Sequence, residues 1–333
     1  MSHTIAILGA GSWGTALAIH CARLGHDVRL WARDQVLVDE IAAVGENSRY
    51  LHGLSIAPTV HATARLDRAL ADVSVVIAAV PSHGMRAVLR EAAPLVPADA
   101  IVVSAAKGIE QETLERMSSV IAQEAGERRI VVLSGPSFAV EVARGLPTAV
   151  VVASPDAAAA ALIQEALKGP ALRLYASDDV AGVEIGGALK NVIAIAAGVV
   201  EGLQLGHNAM AALITRGLVE ISRLACAEGA RRDTLSGLSG LGDLVLTCTG
   251  DLSRNRQVGI ELGRGRSLDD ILSHMRMVAE GVRTTSAALA LGARRGIELP
   301  IAAQMAAVLE GRATPLDAVD TLMLRRQRAE IDH

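Results

Sequence analysis

The stretch Thr4-Ile-Ala-Ile-Leu-Gly9-Ala-Gly11-Ser-Trp-Gly14-Thr-Ala-Leu-Ala18 decides how the first half of this chain is read. Five apolar or β-branched residues run straight into Gly-x-Gly-x-x-Gly, and an alanine-rich helical pattern follows without a break. Strand, glycine turn and helix in that order form the opening of a dinucleotide-binding βαβ unit. Gly9 permits the tight turn, Gly11 lets the backbone approach a pyrophosphate, and Gly14 lets the helix lie close to the sheet. The N–H groups at the start of that helix then face the phosphate charge.

Outward from this turn, short apolar runs alternate with helical stretches. Strands are expected at Thr4–Leu8, Val28–Trp31, Val73–Val80, Ile101–Ala105, Ile130–Ser134 and Ala149–Ala153. Helices are expected at Ser12–Leu24, Gln35–Val44 and Met85–Glu91. Runs apolar on both faces suit a parallel sheet covered by helices. The expectation is an α/β fold: an N-terminal Rossmann-type, doubly wound sheet followed by an all-α C-terminal domain. Beyond about Asp178 helical patterns take over, at Val183–Gly202, Asn208–Gly229, Ser267–Met277 and Pro300–Leu309. The boundary is therefore placed near residue 180, with a dinucleotide-binding domain at 1–180 and a helical substrate and catalytic domain at 181–333.

The composition narrows the function. The chain has 333 residues, 51% hydrophobic, with a net charge of −4. That charge argues against a nucleic-acid face, which needs clustered lysine and arginine. Cys21, Cys226 and Cys248 are isolated, as expected of reduced thiols in a reducing compartment. No cleavable leader is evident, and Val192–Val200 is too short for a bilayer, so a cytoplasmic protein with no membrane span is expected. No His, Cys and carboxylate cluster has metal-ligand spacing, so no metal is expected.

Lys190 demands an explanation. It lies in Glu184-Ile-Gly-Gly-Ala-Leu-Lys190-Asn191-Val-Ile-Ala-Ile, a helix apolar nearly all round. A lysine there is costly unless paired or used. Beside a bound ketone it can protonate the carbonyl oxygen as hydride reaches the carbon. Gly186 and Gly187 are read as leaving room for a ligand. Lys107 follows a strand in Ala-Ala-Lys107-Gly108-Ile-Glu110, where open α/β sheets hold their ligands. Asp243 is placed to pair with and orient Lys190. Ser253-Arg254-Asn255 before a helix suits an anion cradle, though Ser253 equally suits an ordinary helix cap. After the second strand, where an acid would favour NAD, the chain has Ala32-Arg33-Asp34. An arginine suits a 2′-phosphate, so NADPH is preferred and NADH admitted.

These segments, with AVPSH at Ala79–His83, AAKGIE at Ala105–Glu110, SGPSFAVEVARGLPTA at Ser134–Ala149, ALITRGLVEI at Ala212–Ile221, GLGDLVLTCTGDLSRNRQVG at Gly240–Gly259 and MVAEGVRTT at Met277–Thr285, resemble bacterial NAD(P)-dependent glycerol-3-phosphate dehydrogenases. The resemblance runs from residue 4 to about 320. It implies interconversion of dihydroxyacetone phosphate and sn-glycerol 3-phosphate for phospholipid biosynthesis. It also implies cofactor contacts from Ser12, Trp13, Arg33, Lys107, Ala139, Arg254, Val278 and Glu280. Lys190 matches the family's proton acceptor and substrate ligand. Lys107, Gly135, Ser137, Asp243, Ser253, Arg254 and Asn255 match substrate contacts. The family commonly has Pro after Tyr-Leu where this chain has His52-Gly53.

Two other readings are kept. The β-hydroxyacid dehydrogenases, 6-phosphogluconate dehydrogenase among them, typically place an Asn four residues after the lysine, and here Ala194 holds that place. A non-catalytic dinucleotide sensor would keep Gly9–Gly14 but has no use for Lys190. The apolar helices of the second half also suggest a homodimer, since exposed apolar patches usually find partners.

Overall fold

A computed structural model describes residues 2–126, 128–275 and 279–326. Eight strands form one sheet: β1 (Thr4–Leu8), β2 (Asp27–Trp31), β3 (Val60–Thr63), β4 (Val75–Ala78), β5 (Ile101–Ser104), β6 (Ile130–Ser134), β7 (Thr148–Ala153) and β8 (Leu172–Ser177). Between them run the helices α1 (Ser12–Arg23), α2 (Gln35–Val44), α3 (Leu66–Leu70), α4 (Ser82–Ala92), α5 (Met117–Ala125), α6 (Ala139–Arg144) and α7 (Ala157–Leu167). Then follow α8 (Val180–Gly202), α9 (Gly206–Ala227), α10 (Arg232–Leu235), α11 (Asp243–Thr249), α12 (Arg254–Gly263), α13 (Leu268–Ser273), α14 (Glu280–Arg295), α15 (Pro300–Leu309) and α16 (Pro315–Met323).

The strand order is β3-β2-β1-β4-β5-β6-β7-β8. The chain winds outward from β1 to β3, then returns to add β4 on the other side of β1. That reversal opens a crevice between β1 and β4 at their carboxyl ends, where such sheets take ligands. The purely parallel sheet expected from the apolar runs needs one correction: β7 pairs with β6 antiparallel and with β8 in parallel. Continuous apolarity reports burial on both faces, not strand direction. β3 and β8 lie outside the expected set. Both are edge strands, one of four residues and one with alternating burial, so neither shows a sustained apolar run.

Aliphatic side chains build the core, as only 2% of residues are aromatic. One apolar cluster, including Ile5, Ile7, Leu17, Leu30 and Val103, lies on one side of the sheet. Another, including Leu8, Val76, Met85 and Ile121, lies on the opposite side, as the alternation of neighbouring residues requires. The helical half has its own cluster around α8.

α8 starts earlier than the apolar run Val192–Val200 suggested and is 23 residues long, capped by the Asp179 side chain on the Gly182 N–H. By length and composition it is long and apolar enough to cross a bilayer, which corrects the sequence reading. Its whole apolar window is nevertheless buried inside the protein, against α9, α11, α12 and α14. That packing covers α8, while Val245, Leu252 and Leu316 elsewhere in the helical half remain exposed.

Candidate active site

The glycine turn is built as its sequence demands. Gly9 has φ +113°, and a Cβ there would come within 2.8 Å of the Ala79 carbonyl oxygen at the end of β4. A Cβ on Gly14 would stand 1.8 Å from the Gly9 oxygen, so the helix can begin here only on glycine. Gly11 differs: nothing lies within 4 Å of a Cβ built on it. The protein itself does not need a glycine at 11, whereas a pyrophosphate laid over the turn would. Beside it, the Trp13 Nε1 is buried without a hydrogen-bond partner. Ser12 Oγ donates to the Tyr50 carbonyl, tying α1 to the loop that carries His52 and Gly53. In that loop, Glu46 accepts the Gly53 N–H and lies 3.0 Å from His52 Nδ1.

Arg33 is exposed after β2. Asp34 is committed elsewhere: it caps α2 through the Val36 N–H and pairs with Arg49 at 2.9 Å. Asp34 is thus engaged by helix capping and by Arg49, and Arg33 stands exposed beside it. The turn, the unpartnered indole and this cation fit a dinucleotide carrying a 2′-phosphate.

The second cluster gathers four remote segments. Lys190 Nζ lies 2.5 Å from Asp243 Oδ1 and 2.7 Å from Thr247 Oγ1. Lys107 Nζ reaches the other carboxylate oxygen, Asp243 Oδ2, at 2.7 Å and the Gly135 carbonyl at 2.8 Å. Asp243 therefore bridges both ammonium groups, where the sequence had suggested only Lys190. Lys190 is 6% exposed, far from the open solvent that would disqualify it as a proton donor. Its burial pulls its pKa down from the ordinary lysine value to about 8; the Lys107 charge pulls the same way, and Asp243 opposes both. Ser137 Oγ donates to the same Gly135 oxygen at 2.9 Å. Gly135 has φ +134°, and a Cβ on it would press to 3.0 Å on the Val150 Cα.

Thr247 escaped the sequence reading. It stands one helical turn beyond Asp243 on α11, the spacing that puts two side chains on one face. Gly186 and Gly187 also need correction. A Cβ on Gly186 would meet the Ser239 oxygen at 2.9 Å, and one on Gly187 the Ser134 Oγ at 2.6 Å. They let α8 lie close to its neighbours and leave no space for a ligand.

The Ser253–Asn255 segment opens α12. Ser253 caps the helix by accepting the Arg256 N–H, which realises the plain capping role and leaves its hydroxyl hydrogen to donate. Asn255 donates to Asn191 Oδ1 and accepts the Gly281 N–H, both at 2.9 Å, so only its second amide hydrogen remains. Among the described residues Arg254 makes no hydrogen bond or ion pair, yet it is half-buried and burial lowers its pKa. A half-buried guanidinium with no ion-pair partner among the described residues, and with the Glu280 charge acting on it only through space, suits an anionic ligand. Glu280, expected at the cofactor, accepts the Ser82 N–H at 3.1 Å and the Ser82 hydroxyl at 2.6 Å. Ala139 opens α6 and, like Trp13, packs against the apolar cluster on one side of the sheet. Val278 lies outside the described residues.

Lys107 follows β5, Gly135 follows β6 and Gly9 follows β1, all at the carboxyl edge of neighbouring parallel strands. With about 4.8 Å between strands, the lysine-bearing edge begins roughly 10 Å from the glycine turn. A glycine turn of this kind, beside two lysines held on one buried carboxylate and a half-buried arginine, fits the class of nicotinamide-dependent dehydrogenases.

Comparison with known proteins narrows the class. Residues 4–160 match the model of the NAD-dependent glycerol-3-phosphate dehydrogenase N-terminus, and residues 179–320 match that of its C-terminus. The chain belongs to the NAD-dependent glycerol-3-phosphate dehydrogenase family. It is 52% identical to the glycerol-3-phosphate dehydrogenase [NAD(P)+] of Acidobacterium capsulatum, over 98% of this chain and 99% of that protein. It is 50% identical to the enzyme of the same name from Geobacter sulfurreducens, over 99% of both. The crystal structure of glycerol-3-phosphate dehydrogenase from Coxiella burnetii superposes with a TM-score of 0.94 at 42% identity, covering 97% of this chain and 99% of that one. A ketopantoate reductase from Ralstonia eutropha, at 17% identity and a TM-score of 0.61, shares the fold alone.

Proposed function

We propose that this chain reduces dihydroxyacetone phosphate to sn-glycerol 3-phosphate, with NADPH preferred and NADH accepted, and that it does so as a cytoplasmic enzyme feeding glycerophospholipid synthesis. In support, its relatives are named glycerol-3-phosphate dehydrogenase [NAD(P)+]. The observation that carries the reading is Asp243 holding Lys190 and Lys107 together at the carboxyl edge of the sheet. Neither a 6-phosphogluconate-type enzyme nor a silent sensor accounts for that cluster together with the family match.

The division of labour follows from the residues. Gly9–Gly14, with Ser12, Trp13 and Arg33, would hold the dinucleotide, and residues 1–180 form the domain that binds it. Residues 181–333 form the substrate and catalytic domain, which Lys107 joins from the first domain. When bound, the reduced nicotinamide supplies hydride to the carbonyl carbon of the substrate. Arg254 and the remaining donors of Ser253 and Asn255 hold the substrate phosphate at the α12 N-terminus. Lys190 gives its proton to the carbonyl oxygen as negative charge develops there. Asp243 keeps that ammonium aimed, and Lys107 adds a second fixed positive charge beside the developing oxyanion. In the oxidative direction the same amine, with its pKa near 8, accepts the alcohol proton.

The deciding experiment measures initial rates of nucleotide oxidation with dihydroxyacetone phosphate and, separately, NADPH or NADH. Turnover with NADPH at the lower KM is expected; tight nucleotide binding without turnover would reject the enzyme reading. A homodimer is the proposed assembly, and a monomer mass in sedimentation equilibrium would rule it out.

A further inference from the structure

Glu184 is a second buried charge on α8, and the mechanism above does not use it. It is 6% exposed and six residues before Lys190. Its Oε1 accepts the Ser118 N–H at 2.7 Å, and its Oε2 accepts the Ser118 hydroxyl and the Arg116 guanidinium, both at 2.6 Å. Ser118 lies in the first turn of α5, on the sheet side of the molecule. Glu280 repeats the pattern: from the first residue of α14 it grips the N–H and hydroxyl of Ser82, the first residue of α4. Two carboxylates of the helical half thus each take both donors of a serine at the start of a helix in the sheet half. Acids are favoured at such helix starts, so each grip is electrostatically matched.

Between these two grips runs the segment 105–116, which carries Lys107. At its near end a Cβ on Gly108 would meet the Ser82 Oγ at 2.5 Å, so this segment is pressed against the Glu280–Ser82 pair. At its far end Arg116 is held by Glu184. In between, Ile109 is buried in the apolar cluster of the helical half, not in those of the sheet. On α8, Glu184, Gly187 and Asn191 share one face, by their spacing of three and four residues. A Cβ on Gly187 would lie 3.7 Å from the Lys107 Cγ, so that face runs beneath the Lys107 stem.

We propose that Glu184 is a positioning residue for the reaction: by gripping Ser118 and Arg116 it fixes the far end of segment 105–116 on α8, and so holds Lys107 in register with Asp243 and Lys190. Glu280 and Ser82 fix the near end. The proposal rests on the catalytic reading of Lys190 and Lys107 given above. Loss of the grip lets the segment shift against α8. A displacement near 1 Å at a reacting group costs up to about 100-fold in rate.

Ser118→Ala removes one hydroxyl donor from Glu184 and leaves α8 untouched; Glu184→Gln removes the charge; Ser118→Thr restores the hydroxyl. Each is assayed for kcat per NADPH-binding site, KM for dihydroxyacetone phosphate and NADPH affinity, with Lys190→Ala in parallel. The expected result is a fall in kcat of about 10- to 100-fold in Ser118→Ala and Glu184→Gln, with NADPH affinity within about twofold and kcat recovered in Ser118→Thr. Unchanged kcat per binding site in Ser118→Ala, beside an inactive Lys190→Ala, overturns the positioning role alone. Should Glu184→Gln fail to fold, Ser118→Ala decides. An active Lys190→Ala overturns the catalytic reading and the positioning role with it.

Discussion

The glycine turn and the two-lysine cluster meet at one edge of the sheet but are made in opposite ways. Gly9, Gly11 and Gly14 lie within six consecutive residues; a positive φ calls for glycine at 9, and the nearby Gly9 oxygen calls for it at 14. The lysine cluster draws on positions 107, 135, 190, 243 and 247, and no two of its charged members are closer than 53 residues in the chain. A local motif can be read from spacing. A site assembled from distant segments must be held by the fold, and its chemistry depends on how well that holding works.

The largest effect should fall on the assembled site. Lys190→Ala is expected to lower kcat by about 10²- to 10⁴-fold while leaving NADPH binding intact. Stopped-flow turnover beside a fluorescence titration of NADPH separates the two quantities. Near-normal turnover would break the contrast, since the remote cluster would then be ornamental.

Gly11 sharpens the comparison from the other side. It has φ −73°, and a Cβ built there meets nothing, so Gly11→Ala should leave thermal stability unchanged or raise it by up to about 1 kcal/mol. The same methyl group should weaken NADPH by about tenfold or more, because it occupies the space the phosphates need. A weaker melt with unaltered NADPH affinity would show that Gly11 serves the fold.

Arg33 tests the preference between nucleotides. Removing a charge-assisted hydrogen bond to a 2′-phosphate costs about 1.5–3 kcal/mol. Arg33→Ser should therefore raise KM for NADPH by about tenfold or more and leave KM for NADH near its starting value. Equal changes for both nucleotides would remove Arg33 from the 2′-phosphate role.

The pH dependence is the mildest probe, and its sign is fixed. Reduction needs protonated Lys190, whose pKa is lowered to about 8. kcat/KM for ketone reduction should be level below that value and fall tenfold per pH unit above it. For alcohol oxidation it should rise up to about pH 8 and then level off. A reduction rate flat to pH 10 would mean that this amine does not supply the proton.

Much of the architecture was legible because it is written in short-range pattern. β1, α1, β2 and α2 follow from apolar runs and the glycine spacing. Lys190 stood out because a charge in an apolar helix is anomalous on its face. The edge strands β3 and β8, half exposed, gave no such signal, and the antiparallel turn of β7 is a matter of chain direction that side-chain burial does not encode.

The sequence by itself determined the nucleotide turn, the buried amine and the family, because steric limits on glycine and the cost of burying charge act on neighbouring residues. Only the tertiary structure decided that Asp243 serves two lysines, that Thr247 completes the cluster, that Gly186 and Gly187 are there for close helix contact, and that Glu184 and Glu280 grip paired serines. Those contacts join segments tens to hundreds of residues apart, and their ångström-scale distances are set by how α8 lies against the sheet.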